Sequence, residues 1–555
     1  MTTVAPPSPN PSAARGTGEA HAPVPPLHRN GEGGRGWGFL RWLQAHPDLV
    51  AVLLILLVAL TLRSAFAFRV PAFVTKDSIE YVEPALALVD REPFGLAQRR
   101  TPVYPIVMAG SVALFGRDLL AITFAQHLLG IGTAIFTYGI GRLAFGRAAG
   151  LLAGLAAALS SPLLIYEHYL ITESVFTFFL ILSMLLLVAG LKTERGAYFA
   201  AGGLALGMAA LTRPVGQAVL VALPLAAIFV FRRWRPSIVA SALAVGCFAL
   251  LVVPWAIRNQ VVYGTAGAAS TGRFLISRSV KHERNFVFYE ESVGAYPGED
   301  PQRTKARKIA QEVTDKRPEP GQIFQRIRDN LDLTEAQTDA MLKDIALEAI
   351  MRDPMLWVSG TVEMYYELLK GAPKEEEVHW HQEVHEQPRV ANQWGRFNEL
   401  LEAPPPAHRN EAADAELLGK IFRPSRVAWW LVGLGLVGMV LAVLVPAYRP
   451  AALPFLVAFV LIAVSAMLVG DVPRYRYPVD PLMYVMAAGG LIGSLGLVVR
   501  LTRHATGLTS PPTALRRGEG RDAASAPPLR AGDDVGEADI RAAQRVGGHG
   551  VGAPW

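Results

Sequence analysis

Two short polar stretches carry the residues best suited to chemistry. In FVTKDSIEYVEP (73–84), Lys76, Asp77, Glu80 and Glu83 follow directly on a long apolar run. If this stretch is helical, three- and four-residue spacing puts Asp77, Glu80 and Tyr81 on one face, a compact acidic site beside a membrane. Asp77 also fits a helix N-cap with Glu80 completing a capping box, and a capping position can hold a carboxylate rigidly. Pro84 would then end or kink the helix. In RYRYP (474–478), Pro473 and Pro478 argue against helix. An extended backbone would place Arg474 and Arg476 on one face and Tyr475 and Tyr477 on the other. Two guanidinium forks on one face match the oxygens of a phosphate. The same stretch also reads as an interfacial anchor with its tyrosines at headgroup level.

Other polar groups are sparser. Glu173 in LITE fits the start of a helix, with Thr172 as its cap. Arg100, Arg213 and Arg258 stand at the ends of apolar runs. His127, beside Gln126, lies inside one, where an interhelical hydrogen bond is the simple reading, although buried ionisable groups are functional suspects. HWHQEVH (379–385) matches no strong zinc spacing and reads as a solvated loop. No Walker loop, dinucleotide-binding GxGxxG unit or hydrolase GxSxG elbow is present.

The elements that must position these residues are membrane spans. The chain has 555 residues, of which 51% are hydrophobic, and a mean hydropathy of +0.29, too apolar for a soluble protein with polar tails. Runs near 48–68, 119–141, 148–166, 170–191, 197–212, 214–231, 237–257, 427–447, 450–469 and 479–499 each suit a span of about 20 residues. The expected class is therefore an all-α polytopic membrane protein of about ten spans. The run at 102–115 is short for a span, and charge decides its place. Arg35 and Arg41, Arg142 and Arg147, Lys192 and Arg195, Arg232 to Arg235, Arg449, and Arg500 with Arg503 fall on one side only if 102–115 does not cross. It is read as a surface helix. Arg63, Arg69, Arg99 and Arg100 then lie outside, explained by function or by snorkelling.

This topology gives five segments. Residues 1–47 and 501–555, rich in Gly, Ala and Arg with Pro, are expected as disordered cytoplasmic tails. Residues 48–257 form a transmembrane module with an outer loop at 69–118. Residues 258–425 are a large, mainly helical outer loop, in which 354–369 reads as an amphipathic surface helix. Residues 426–500 hold the last spans. The formal charge of +6 favours anionic lipid or phosphate, and no nucleic-acid-binding motif appears. A lone cysteine, Cys247, excludes an internal disulfide framework.

The motifs taken in order resemble a known family. Asp77 with Tyr81, then RTPVYP (100–105), GRLAFGR (141–147), SPLLIYEHYLITE (161–173), LTRP (211–214) and RYRYP are similar to the dolichyl-phosphate-mannose protein mannosyltransferases of glycosyltransferase family 39 and the lipid A aminoarabinose transferases, all with the GT-C fold. The resemblance runs from about 48 to 499 and is weak through 280–420. It implies a polyprenyl-phosphate-linked sugar as donor, used on the outer face of the plasma (inner) membrane. The acceptor hydroxyl would belong to a protein, a lipid or a polysaccharide. It implies Asp77 as catalytic base or acceptor-orienting carboxylate, supported by Glu80, Tyr81, Tyr104 and Glu173. Ser78 stands where the protein mannosyltransferases carry a Glu after the Asp, which leaves the acceptor open.

The chemistry is consistent on its own terms. Transfer needs a carboxylate to take the acceptor proton and cations to stabilise the departing phosphate. Arg474 and Arg476 serve the second need, with Arg100, Arg213 and Arg258 as further candidates. No cofactor is required, and a divalent metal remains open. The alternatives are a lipid or glycan transporter, which would carry ionisable groups at midplane, a non-catalytic scaffold, and a polymerase or ligase using a diphosphate-linked glycan. The topology has its own test. In a Cys247→Ser background, Arg117→Cys is expected to react with a membrane-impermeant maleimide from outside intact cells; labelling only after permeabilisation would place 102–115 across the membrane.

Overall fold

The computed structural model describes residues 42–67, 69–70, 72–75, 77–97, 100–264, 266–267, 271–280, 300–314, 320–371, 417–468 and 473–505. The HWHQEVH stretch and nearly all of both expected tails lie outside these residues. The described residues are helical, with two isolated bridges and no extended strand. They fall in one compact unit, 1–498, except for the end of the last helix, which belongs to a second unit, 499–555.

The first half of the chain begins with α1 (Pro47–Ala67), α2 (Ile79–Val89), α3 (Val103–Phe115) and α4 (Leu119–Phe145). It continues with α5 (Arg147–Leu159), α6 (Ser161–His168), α7 (Glu173–Thr193), α8 (Gly196–Ala210), α9 (Val219–Phe231) and α10 (Trp234–Tyr263). The loop region holds α11 (Thr271–Val280), α12 (Pro301–Thr314), α13 (Pro320–Leu331), α14 (Glu335–Arg352) and α15 (Pro354–Lys370). Then come α16 (Ala428–Leu444), α17 (Ala452–Leu468) and α18 (Asp480–Ala505).

Among the described residues, eight stretches are long and apolar enough to cross a membrane: α1, α4, α7, Pro214–Phe231 with α9, α10, Pro424–Leu444 with α16, Pro446–Leu468 with α17, and Tyr477–Val499 with most of α18. Two of the ten expected spans are shorter. The 148–166 run breaks into α5 and α6. Pro162 has no N–H to give to the Ala158 carbonyl, and Arg63 Nη1 reaches that carbonyl instead, at 3.4 Å. The 197–212 run forms α8, 15 residues long, and stops short of Pro214. Helix α3 has only 13 residues, and it packs on α2 and α4.

The main core is shared by α4, α5, α7, α8, α9, α17 and α18. Small residues let the backbones approach, as in other membrane bundles: a Cβ at Gly150 would stand 2.6 Å from the Tyr138 carbonyl. The large loop has a core of its own, with Leu275, Ile276, Ala310, Phe324, Ile327 and Ile345 buried among α11–α14. Helix α15 fits the expected amphipathic helix. Met364 and Leu368 are buried, and Met355, Val362 and Tyr366 are exposed.

Arg63 does not snorkel. It is 2% exposed and pairs with Glu167 Oε1 at 2.6 Å, while Glu167 Oε2 lies 2.7 Å from His127 Nδ1. The expected interhelical hydrogen bond of His127 is thus present, and its partner is a carboxyl group. Gly130 makes room for this carboxylate, since a Cβ there would overlap Glu167 Oε1. Removing one partner of a buried ion pair costs about 3–5 kcal/mol, whereas replacing both by apolar groups is often neutral. Thermal unfolding in detergent is therefore expected to show Arg63→Met as strongly destabilised and Arg63→Met/Glu167→Met, which leaves only His127 without its partner, as less so. Equal destabilisation by the single and double variants would contradict this pairing.

Candidate active site

The site is assembled by backbone contacts between segments distant in sequence. Phe73 pairs in parallel with Tyr169: its N–H donates to the His168 carbonyl at 2.7 Å, and its carbonyl accepts from Leu170 N–H at 3.0 Å. That pairing brings the Asp77 turn beside the start of α7. Thr101 Oγ1 donates to the Thr212 carbonyl at 2.7 Å, and Val103 N–H to the Leu211 carbonyl at 3.2 Å. These bonds fix the Arg100 segment against the turn after α8. Arg213, preceding Pro214, is extended (φ −144°, ψ 122°), as a residue before proline prefers.

Ser78, rather than Asp77, stands at the N-cap position of α2 and makes no capping bond through its side chain. Its Oγ instead accepts from Thr75 N–H at 2.9 Å. Pro84 lies within α2, which continues to Val89. The expected shared face does form. Arg100 donates from Nη2 to Asp77 Oδ1 at 2.7 Å, from Nε to Glu80 Oε2 at 2.6 Å and from Nη1 to the Tyr81 hydroxyl at 2.8 Å. Burial alone would lower the Arg100 pKa, but Tyr81, Asp77 and Glu80 outweigh it and hold the pKa above the ordinary value. Burial raises the Tyr81 phenol, so Tyr81 stays protonated.

A second ion cluster faces the first. Glu173, 4% exposed, pairs with Arg213. Arg213 stacks on the Tyr475 ring, 4.5 Å from its centroid. Arg474 lies between the clusters, with Nη1 3.6 Å from Asp77 Oδ2 and Nε 3.8 Å from Glu173 Oε1. Both separations exceed hydrogen-bond length, and Arg474 Nε has no hydrogen-bond partner among the described residues. Burial works against the Arg474 charge, yet Tyr475, Glu173 and Asp77 hold its pKa well above the ordinary value. Arg474 is thus a fixed cation, one-quarter exposed, with donor capacity left for a ligand.

These groups line a cavity of about 280 Å³. Its charged half is made by Asp77, Arg100, Glu173, Arg213 and Arg474, and its apolar half includes Val215, Ala218, Phe274, Val464 and Leu468. The sequence reading missed Phe274 and Thr271 of α11 and Val464, Ser465 and Leu468 of α17, because apolar residues and lone hydroxyls in helices carry no chemical signal of their own.

Three expected site residues lie elsewhere. RYRYP is not extended: Pro473–Tyr475 and Tyr477–Val479 form 3-10 turns, and Arg476 between them is helical (φ −80°, ψ −42°). Arg474 and Arg476 therefore diverge. Arg476 is fully buried against Asp480, one helical turn on, at 3.0 Å, and a Cβ on Gly371 would overlap its Nη1. Arg258 stacks on Trp255 and Tyr263, 4.7 and 5.1 Å from their centroids, and does not line the cavity. Tyr104 is buried behind the site, edge-on to Tyr81 at 5.1 Å. Among the described residues no group of three or more His, Cys, Asp or Glu could hold a metal.

Fold and site together define a multi-pass, all-α membrane protein with an ion-lined cavity at one set of helix ends. Residues 99–257 match the family model described as dolichyl-phosphate-mannose-protein mannosyltransferase. The match includes Arg100, Tyr104, Glu173 and Arg213 and stops short of Asp77 and Arg474. No curated protein matches. Among solved structures, one similar chain is the archaeal oligosaccharyltransferase AglB of Archaeoglobus fulgidus, recorded in complex with an inhibitory peptide and a dolichol-phosphate. It shares 14% identity at a TM-score of 0.45, over 85% of this chain and 53% of that one. Another is ArnT from Cupriavidus metallidurans bound to undecaprenyl phosphate, with 17% identity and a TM-score of 0.34, over 86% of this chain and 82% of that one. The chain thus spans about half the length of the oligosaccharyltransferase.

The two arginines of RYRYP are expected to separate on mutation. Arg474→Ala should weaken binding of inorganic phosphate in the cavity and leave thermal unfolding near wild type. Arg476→Ala should lower the unfolding temperature by stranding buried Asp480, a loss of about 3–5 kcal/mol. The same phenotype from both variants would contradict the divergence.

Proposed function

We propose that the protein is a membrane glycosyltransferase that moves a sugar from a polyprenyl-phosphate donor to an acceptor hydroxyl on the outer face of the plasma (inner) membrane. The observation that carries this reading is the convergence in one cavity of an accessible carboxylate, Asp77, with a cation held near two carboxylates but bonded closely to neither, Arg474. The apolar half of the same cavity suits a lipid-linked substrate, and the family match supports a lipid-phosphate sugar as donor.

In the proposed step the acceptor oxygen attacks the anomeric carbon as its proton passes to Asp77. The bond from that carbon to the phosphate oxygen breaks, and the electron pair leaves on the phosphate. Arg474 and Arg213 stabilise the charge that develops there. A single in-line displacement inverts the anomeric centre. Arg100 holds Asp77, and its donors are already engaged by three acceptors, so it acts on the carboxylate rather than on the phosphate. Arginine charge supplies the electrostatic term, and the proposal includes no resident metal. The acceptor is a protein, a lipid or a polysaccharide.

The orientation rests on charge. Arg142, Arg147, Lys192, Arg232 and Arg233 gather at helix ends opposite the cavity, which the positive-inside tendency assigns to the cytoplasm. Both termini then lie inside. The transporter alternative finds no support in the comparisons.

Membranes carrying Asp77→Asn are expected to lose about 100-fold or more in transfer from polyprenyl-phosphate sugars, the scale of general-base catalysis, with donor binding retained. Equal transfer by wild type and variant would sink the assignment of Asp77.

A further inference from the structure

The side chain of Gln126 in α4 lies outside the cavity and is 1% exposed. Its amide uses its whole hydrogen-bonding capacity. Nε2 donates to the carbonyls of Glu167 and Tyr169 at 2.9 and 3.0 Å. Oε1 accepts from the hydroxyls of Tyr104 and Ser174 at 3.1 and 2.9 Å. Two donors and two acceptor sites are all that a primary amide offers. The next residue, His127, meets the Glu167 carboxylate that Arg63 also holds. Neighbouring residues of one helix thus grip the 167–174 segment by backbone and side chain together.

Each bond leads to a different part of the site. The Glu167 and Tyr169 carbonyls flank His168, whose carbonyl accepts from Phe73 N–H, and Phe73 begins the segment that carries Asp77. Ser174 follows Glu173, the partner of Arg213 and neighbour of Arg474. Tyr104 stands edge-on to Tyr81, which Arg100 binds together with Asp77. The base and the phosphate arginines come from segments with no rigid covalent link, and Gln126 touches the supports of both.

We propose that Gln126 is a positioning residue, the hub that fixes the Asp77 carboxylate relative to the Glu173–Arg213–Arg474 cluster. Its amide is suited to this role because it is neutral and divides its bonds between two carbonyls and two hydroxyls. A leucine of similar size would strand all four partners. A shift of a fraction of an ångström between base and donor slows a displacement while leaving the donor site itself intact.

The inference rests on the glycosyltransferase reading for its kinetic part, and a second readout is independent of activity. Gln126→Leu, in the purified full chain, is expected to lower kcat roughly tenfold or more, with the stoichiometry of polyprenyl-phosphate binding unchanged. That pairing separates displacement from a loss of folded protein. Hydrogen–deuterium exchange of peptides spanning Phe73 and Leu170 is expected to rise in the variant while the cores of α7 and α8 stay protected. Tyr104→Phe and Ser174→Ala remove one hydroxyl each and should give smaller shifts in the same directions; if Gln126→Leu does not fold, these two decide. Wild-type exchange and kcat in the folded variants would overturn the proposal, as would a fall in kcat that only tracks lost binding stoichiometry. A wild type without transfer activity would count against the glycosyltransferase reading, and the exchange data would then decide the hub alone.

Discussion

A charge placed in an apolar medium must be met at hydrogen-bond range, and that constraint sorts the arginines of this protein. Arg63 is met by Glu167, Arg476 by Asp480, and Arg100 by Asp77, Glu80 and Tyr81. Each of these is neutralised and structural in its immediate role. Arg213 is engaged by Glu173 at the cavity wall. Arg474 is held near two carboxylates and bonded closely to neither. The residue with spare donor capacity is therefore selected by what surrounds it, although its neighbour Arg476 is chemically identical.

The same constraint shapes the cavity. Its charged half draws on the turn before α2, the start of α7 and the turn after α8, places where helices end and backbone groups need partners anyway. Its apolar half comes from helix sides, in Val464 and Leu468 of α17 and Phe274 of α11. A substrate with an anionic head and a hydrocarbon tail fits such a boundary because each part meets matching surface within one small volume.

Much of this was legible in the sequence because its signals are local. Apolar runs marked the long helices, and three- and four-residue spacing put Asp77, Glu80 and Tyr81 on one face, where Arg100 now bridges them. Other features depend on partners that no local pattern reveals. Glu167, the partner of Arg63, is 104 residues away, so a lone arginine in an apolar run read as a snorkelling side chain. The prolines of RYRYP were taken as helix breakers, yet proline also opens helical turns, and two 3-10 turns turned the arginines apart. Gln126 drew notice only as the neighbour of His127, because an amide in an apolar run looks the same whether it makes one bond or four.

The pairing of Asp77 with Arg474 has a consequence for biosynthesis. Asp77 emerges early in translation, soon after the first span, whereas Arg474 appears only as the last span begins. Until the chain has passed α17 the cavity lacks Val464 and Leu468 from its apolar half, and until Arg474 follows it lacks its central cation. The nascent chain therefore holds an acidic cleft with Arg100 and Arg213 already in place but no completed anion site. The charged half of the cavity is therefore completed late, by a residue 397 positions after Asp77.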